Sequence, residues 1–511
     1  MVSGLVGFAA LAGMLVLAHA TRHGIGIAPD SVSYLEAARN LAAGRGLTTA
    51  EDGAELRPLT RFPPLYPAVL AAVIRLGSEP LDAARILGVA LLGANVVLAA
   101  LLAARCAPGA RRLPVVAALL LASSSEIAVL HGTALSEPLF LLLGFSGLLL
   151  LSLHLETPKP LALVAASLLI ALAFLTRYLG GALVATGILA CLLAPGARLQ
   201  RRITNAAAFA TVATLPIAVW VLGNRLGGAS ATGRRFAFHP IDADAISVAI
   251  ASVGEWLLGG QIGAVPAGLL AAGLLLCILN WLAGGTARAW RAALPRTLAL
   301  FVPCYLLLLL ASISFFDAAT PLNGRILSPV LVAGLVLALC AVAARIRSGQ
   351  SRLHVILAAG LALIFSLGWA RETSQWARER AAAGGAGFAS LGWRRSETVR
   401  RVAELPASSL IYSNARDAIL ILTGRPTRWL PAPVDAETRL PRPGYAAELE
   451  AMRADLRARE VSLVWFDRVS WRWYLPSGAD LSQRLPIRRE ARLPDGEIWG
   501  YDPSRDATTP R

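Results

Sequence analysis

Lysine is almost missing from this 511-residue chain. Lys159 is the only one among 48 basic residues, so the formal charge of +16 is carried by arginine. Charge of any sign is sparse, at 16% of residues, where a soluble domain would carry about a quarter. Cysteine is also scarce. Cys106, Cys191, Cys277, Cys304 and Cys340 all lie in or beside apolar runs, with no paired spacing. That excludes a disulfide framework and a CxxC metal site, and leaves cysteine as a small buried hydrophobe. No internal repeat is visible, and no pair of Gly/Pro-broken spans of the kind many secondary transporters carry. There is no low-complexity tract.

What is present is hydrophobic: 56% of residues, with a mean hydropathy of +0.60. A helix needs roughly 20 apolar residues to cross a bilayer. The sequence predicts about eleven such spans: 4–20, 81–104, 113–130, 137–153, 161–176, 178–194, 204–222, 262–282, 297–316, 326–344 and 353–370. The first has no basic segment ahead of it and is followed by further spans. It therefore reads as a retained helix and not a cleaved signal. Residues 63–77 read as a short, partly inserted helix, and 241–258 as an amphipathic interfacial one.

Arginine in the short loops sets the orientation. One set of alternate loops holds Arg105, Arg111, Arg112, Lys159, Arg198, Arg201, Arg202, Arg288, Arg291, Arg296, Arg345, Arg347 and Arg352, with Glu156 its only acid. Residues 21–80 on the other side are mixed, with six arginines and six acids. The N-terminus is therefore expected inside the cytoplasm of a cell (inner) membrane. The first loop, 21–80, and the C-terminal domain are expected outside. Basic loops on such a chain meet anionic lipid headgroups, so the positive charge does not imply a nucleic-acid partner.

The organisation expected is a transmembrane domain over 1–370, a flexible linker over 371–385 (AAAGGAG) and a small extracytoplasmic α/β domain over 386–511. In the last part, ETVRRVAEL and ARDAILILTG read as helices, and SSLIYSN and VSLVWFD as strands. LPIRREARLPDGEIWGYDP reads as a closing hairpin. This domain shows no nucleophile elbow, P-loop or zinc spacing. Ser470–Tyr474 is aromatic-rich, which suits packing or interface anchoring better than sugar stacking.

The first outer loop carries the most pattern. PDSVSYLEAARNLAAGRGL, at 29–47, is helical after Asp30, with Tyr34, Leu35, Ala38 and Leu41 at helical spacing and Asp30 or Ser31 as N-cap. RFPPLYPAVLAAVIRLG follows at 61–77. The pattern D-S-x-x-Y-L-x-x-A-x-N-L-x-x-G-x-G with P-P-L-Y-P resembles the first external loop of the GT-C glycosyltransferases. The bacterial branch related to protein O-mannosyltransferases and lipid A aminoarabinose transferases is the most similar. SEPLF at 136–140, LTRYLGG at 175–181, GNRLGGASATGRR at 223–235 and NGRILSP at 323–329 resemble further pieces, in the expected order. The resemblance covers most of 1–370.

The resemblance implies a polytopic α-helical GT-C-like fold and a polyprenyl-phosphate-linked sugar as donor. It also implies that an acid in the first outer loop, here Asp30, is the catalytic base. That is chemically sensible. Phosphate leaves without protonation, so what remains is deprotonating an acceptor hydroxyl, which one carboxylate can do. Asp30 could instead merely cap a helix. Glu137, at the outer end of a span, is the second acid, either functional or a charge favoured by the helix dipole. Arg325, Arg177 and Arg61 are candidates for the donor phosphate, with Arg234 and Arg235 behind them; each could instead snorkel to headgroups. Tyr34, Tyr66 and His131 are expected to line the substrate cavity. Acids do not cluster, so no metal and no cofactor is expected, although some relatives use a divalent cation. The partners expected are the lipid-linked sugar, membrane lipids and a glycan, lipid or protein acceptor. A lipid-linked-sugar flippase and a non-catalytic scaffold are the rival readings.

Overall fold

The computed structural model describes residues 2–50, 55–258, 292–347, 352–458 and 460–506. Helices dominate the first three quarters of it. In chain order they are α1 (Val2–Ala20), α2 (Pro29–Ala42), α3 (Leu65–Arg75), α4 (Pro80–Cys106), α5 (Leu113–Ser123), α6 (Ser125–His131), α7 (Glu137–Glu156), α8 (Pro160–Thr176), α9 (Gly181–Leu192), α10 (Leu199–Leu226), α11 (Ala243–Leu258), α12 (Ala293–Phe315), α13 (Gly324–Arg347) and α14 (Arg352–Ala382). Ten of the eleven expected segments are helical; 262–282 lies outside the described residues.

Among the described residues, six helices are long and apolar enough to cross a membrane. They become seven if α5 and α6, bent by 63° at Ser124, count as one broken span. The bend has a local cause: the Ser124 hydroxyl accepts from the Ile127 amide and so starts a new helix. The helices α8 and α9 are shorter, and the chain turns between them at Arg177, which is extended. One apolar core joins α1, α4, α5, α7, α8, α9, α10, α12 and α13. Lipid-facing positions such as Phe8, Leu161, Leu215 and Leu307 are exposed, as expected where the solvent is hydrocarbon.

Beyond the bundle, strands β1 (Thr48–Thr49) and β2 (Arg57–Pro58) pair antiparallel within the first loop. The C-terminal domain is a five-stranded mixed sheet. Its strands are β3 (Leu410–Ser413), β4 (Arg428–Trp429), β5 (Val461–Phe466), β6 (Ile487–Leu493) and β7 (Gly496–Tyr501), in the order β4-β3-β5-β7-β6. The pairs of β3 with β4 and β5 are parallel; β7 runs antiparallel between β5 and β6. Helices α15 (Glu397–Glu404), α16 (Arg416–Thr423) and α17 (Tyr445–Ala458) accompany the sheet. The strand β5 is buried along its whole length, which matches the continuous apolar run VSLVWF.

Residues 371–385 are not a flexible linker. The helix α14 continues through them to Ala382, and a tight turn follows. The Leu391 amide bonds to the Ala383 carbonyl and the Ile27 amide to that of Ala386. A run of alanine and glycine has the composition of a linker, but Ala is also the best helix former.

Candidate active site

Several helix ends meet at one end of the bundle: the start of α2, the start of α7, the break after α8 and the start of α13. Each end supplies one charged side chain. Pro29 opens α2 at a position where its missing N–H costs nothing. The Ala28 amide donates to the Ser31 hydroxyl, a contact that does not involve Asp30. The capping role open to Asp30 from sequence is therefore not the one it fills: Ala28 is the N-cap and Asp30 lies inside the first turn. Its carboxylate is free to reach Arg325.

That arginine is held by its own motif. Asn323 Oδ1 accepts from the Ile326 amide, capping α13. Pro329 has no N–H to give the Arg325 carbonyl, and the Ser328 hydroxyl donates to it instead, at 2.8 Å. Gly324 lets the Glu126 carboxylate lie close against the start of α13, and a Cβ there would push that carboxylate aside. The guanidinium then bridges two acids: Nη2 lies 2.5 Å from Asp30 Oδ2 and Nε 2.6 Å from Glu137 Oε1. Arg177 reaches the same Glu137 oxygen at 2.7 Å and donates to Ser136 Oγ at 3.1 Å. Ser136 in turn lies 3.2 Å from the Tyr34 hydroxyl.

Two arginines and two carboxylates thus form one chain of charge, Asp30–Arg325–Glu137–Arg177. It is graded in exposure. The Asp30 side chain is 33% exposed and that of Glu137 only 2%. Glu137 Oε2 is buried with no hydrogen-bond partner among the described residues. A buried carboxylate survives only when paired, and Glu137 has two cations. Burial pushes the Asp30 carboxyl up, but Arg325, with Arg61 and Arg177 further away, outweighs it and holds the group below its ordinary value. Burial, and next the Asp30 charge, push the Tyr34 phenol up, so it stays protonated.

The other expected site residues fall into three sets. Tyr34 and Tyr66 are both about 2% exposed and meet edge to face at 5.1 Å, with Phe62 4.7 Å from Tyr34. They form the packed floor behind Asp30 more than an open wall. His131 is turned elsewhere. Its Nδ1 donates to the Ile127 carbonyl at 2.7 Å and its Nε2 accepts from Asn95 at 3.0 Å. Asn95 also donates to the Pro138 carbonyl, so this pair props the start of α7 from inside the bundle. Arg61 pairs with Glu437 of the C-terminal domain at 2.6 Å. Arg234 pairs with Asp317 at 3.1 Å. Among the described residues no group of three or more His, Cys, Asp or Glu side chains is placed to hold a metal ion.

Sequence reasoning missed Glu437, Arg416 and Gly387, because each acts between segments far apart in the chain. Arg416 is buried and donates to the carbonyls of Thr427 and, from Nη2, Ala50. Nothing in the string ARDAILIL marks that reach.

The fold is that of the GT-C glycosyltransferase structures, a polytopic bundle of apolar helices with a small C-terminal sheet domain. Residues 61–221 match the family described as dolichyl-phosphate-mannose-protein mannosyltransferase. The structure is similar to that of ArnT from Cupriavidus metallidurans bound to undecaprenyl phosphate. The TM-score is 0.57 and the identity 14%, over 97% of this chain and 98% of the other. It is also similar to the archaeal oligosaccharyltransferase AglB from Archaeoglobus fulgidus in complex with an inhibitory peptide and a dolichol-phosphate. There the TM-score is 0.55 and the identity 12%, over 94% of this chain and 72% of that one. No curated protein matches the sequence.

Proposed function

We propose that the protein is an inverting glycosyltransferase that moves a sugar from a polyprenyl phosphate to a glycan, lipid or protein acceptor on the extracytoplasmic side of the membrane. The observation that carries this reading is the Arg325 bridge between Asp30 and Glu137 at the mouth of the helix bundle. It places an accessible carboxylate beside guanidiniums able to grip a phosphate in two-pronged fashion. The solved neighbours bound to undecaprenyl phosphate and dolichol-phosphate support the choice of donor.

In the proposed reaction, the acceptor hydroxyl gives its proton to Asp30 as its oxygen bonds to the anomeric carbon. The bond from that carbon to the phosphate oxygen breaks on the opposite face, and the electron pair leaves with the lipid phosphate. Arg325 and Arg177 neutralise the growing charge on that phosphate. The bridge also times the reaction. While Arg325 grips Asp30, the carboxylate is ionised but a weak base. A donor phosphate that draws Arg325 toward itself loosens that grip, so the base gains strength only when donor is bound.

Purified protein given a panel of polyprenyl-phosphate sugars should release lipid phosphate in the presence of an acceptor. Asp30→Asn should lower that rate about 100- to 10,000-fold, the usual worth of a general base, while donor binding persists. Wild-type turnover by Asp30→Asn would remove Asp30 from the chemistry.

A further inference from the structure

The backbone leading into Asp30 is attached on two sides. On one side is the bundle: the Gly26 amide donates to the Gly132 carbonyl at 2.8 Å and the Ala134 amide to the Gly26 carbonyl at 2.9 Å. On the other is the segment that opens the C-terminal domain. The Ile27 amide donates to the Ala386 carbonyl at 3.1 Å, and the Phe388 amide donates back to the Ile27 carbonyl at 3.0 Å. Gly387 sits at the centre of this bridge with φ +56. A side chain there would be strained, and its Cβ would collide with the Ile27 carbonyl oxygen.

Packing repeats the pattern. Ile27 and Val32 flank Asp30 in sequence, and both are about 2% exposed. They are buried in the apolar core of the C-terminal domain, with Phe388, Trp393, Ile411, Ile419 and Phe466. Further along α2, Glu36 accepts from the Ala50 amide at 2.8 Å and lies 3.9 Å from Arg416 of α16. The Arg416 guanidinium also bonds the Ala50 carbonyl.

We infer that the C-terminal domain positions Asp30: the 386–388 bridge and Arg416 hold the first turns of α2 so that its carboxylate meets Arg325. This rests on the base role proposed for Asp30. Gly387 and Arg416 are positioning residues, since neither touches the reacting atoms. A base displaced by about 1 Å forfeits on the order of 100-fold in rate, so the bridge matters for turnover more than for donor affinity.

The test uses full-length protein in detergent, carrying Gly387→Ala or, as the milder variant, Arg416→Lys. Hydrogen–deuterium exchange over residues 25–41 reports the attachment directly. Released lipid phosphate and donor binding report its consequence. Faster exchange is expected, together with a rate lowered about 10- to 100-fold and donor affinity within about threefold of wild type. The acid limb of the pH–rate profile should move upward as Asp30 slips from Arg325, with Arg61, Arg177, Glu137 and Tyr34 the other titratable groups around it. A folding defect alone would lower the active fraction without moving that limb. Unchanged exchange in both variants, or faster exchange with wild-type turnover, would overturn the inference. Failure of the catalytic reading shows separately, as Asp30→Asn turning over normally in the same assay.

Discussion

At the scale of single residues, the site is a balance between burial and paired charge. Asp30 shows it most clearly, because burial and the Arg325 cation act on one carboxyl in opposite directions. The sign can be followed through a variant. In the wild type the folded value lies below the ordinary Asp value, so the carboxyl is ionised at neutral pH, and under the proposed mechanism turnover should fall only in acid. Arg325→Met removes the main compensating cation and leaves the burial. The acid limb of kcat/KM should then move to higher pH, along with a loss of donor affinity. A profile that keeps its acid limb would separate Arg325 from the base. Sequence alone put Asp30, Glu137, Arg325 and Arg177 forward as separate candidates. Their union was not legible, since one helix start cannot announce which other starts it will meet. His131 was legible only as a polar residue near an apolar run; its bonds to Asn95 and Ile127 answer to the packing of α4 against α6.

At the scale of elements, the spans were readable because hydrocarbon forces long apolar helices with their backbone bonds made internally. Breaks within them were less so. The bend at Ser124 rests on one hydroxyl acting as a cap, and serine is common enough in spans to hide that role. At the start of α13, four residues of the NGRILSP run each contribute something different. Asn323 caps the helix, Gly324 allows close approach, Arg325 makes the bridge and Ser328 satisfies a carbonyl. Asn323→Ala should cost about 0.5–2 kcal/mol, the usual worth of a cap. It should also loosen the register of Arg325. A thermal melt in detergent lowered in proportion, with a fall in turnover larger than the stability loss explains, is the outcome to look for. The tract at 381–387 misled for an elementary reason: alanine and glycine together suit a tether, and only the contact with Ile27 reveals an ordered turn.

At the scale of the whole molecule, the basic loops and the site lie toward opposite ends of the bundle. Lys159 follows α7, whereas Glu137 begins it. The positive-inside rule supports the proposed orientation, in which the charged bridge and the C-terminal domain would lie outside the cytoplasm. The arrangement can be checked in a cysteine-free background. In intact cells a membrane-impermeant maleimide should label Trp473→Cys, where the native side chain is exposed, and spare Lys159→Cys until the membrane is opened. The reverse pattern would invert the assigned topology. The C-terminal sheet was legible from its alternating helix and strand runs. Its service to the first loop was not, because Ile27 and Val32 read as ordinary apolar positions beside a helix start.

The shared core around Ile27 and Val32 also constrains how such proteins can be recombined. A chimera that takes its tail domain from one homologue and its first external loop from another would bring together two half-interfaces shaped for different mates. Catalysis would fail even though every reactive side chain was retained. Only exchanges that carry residues 26–36 and 384–388 as a matched set should yield working hybrids, and natural substitutions at those two stretches should arise in concert.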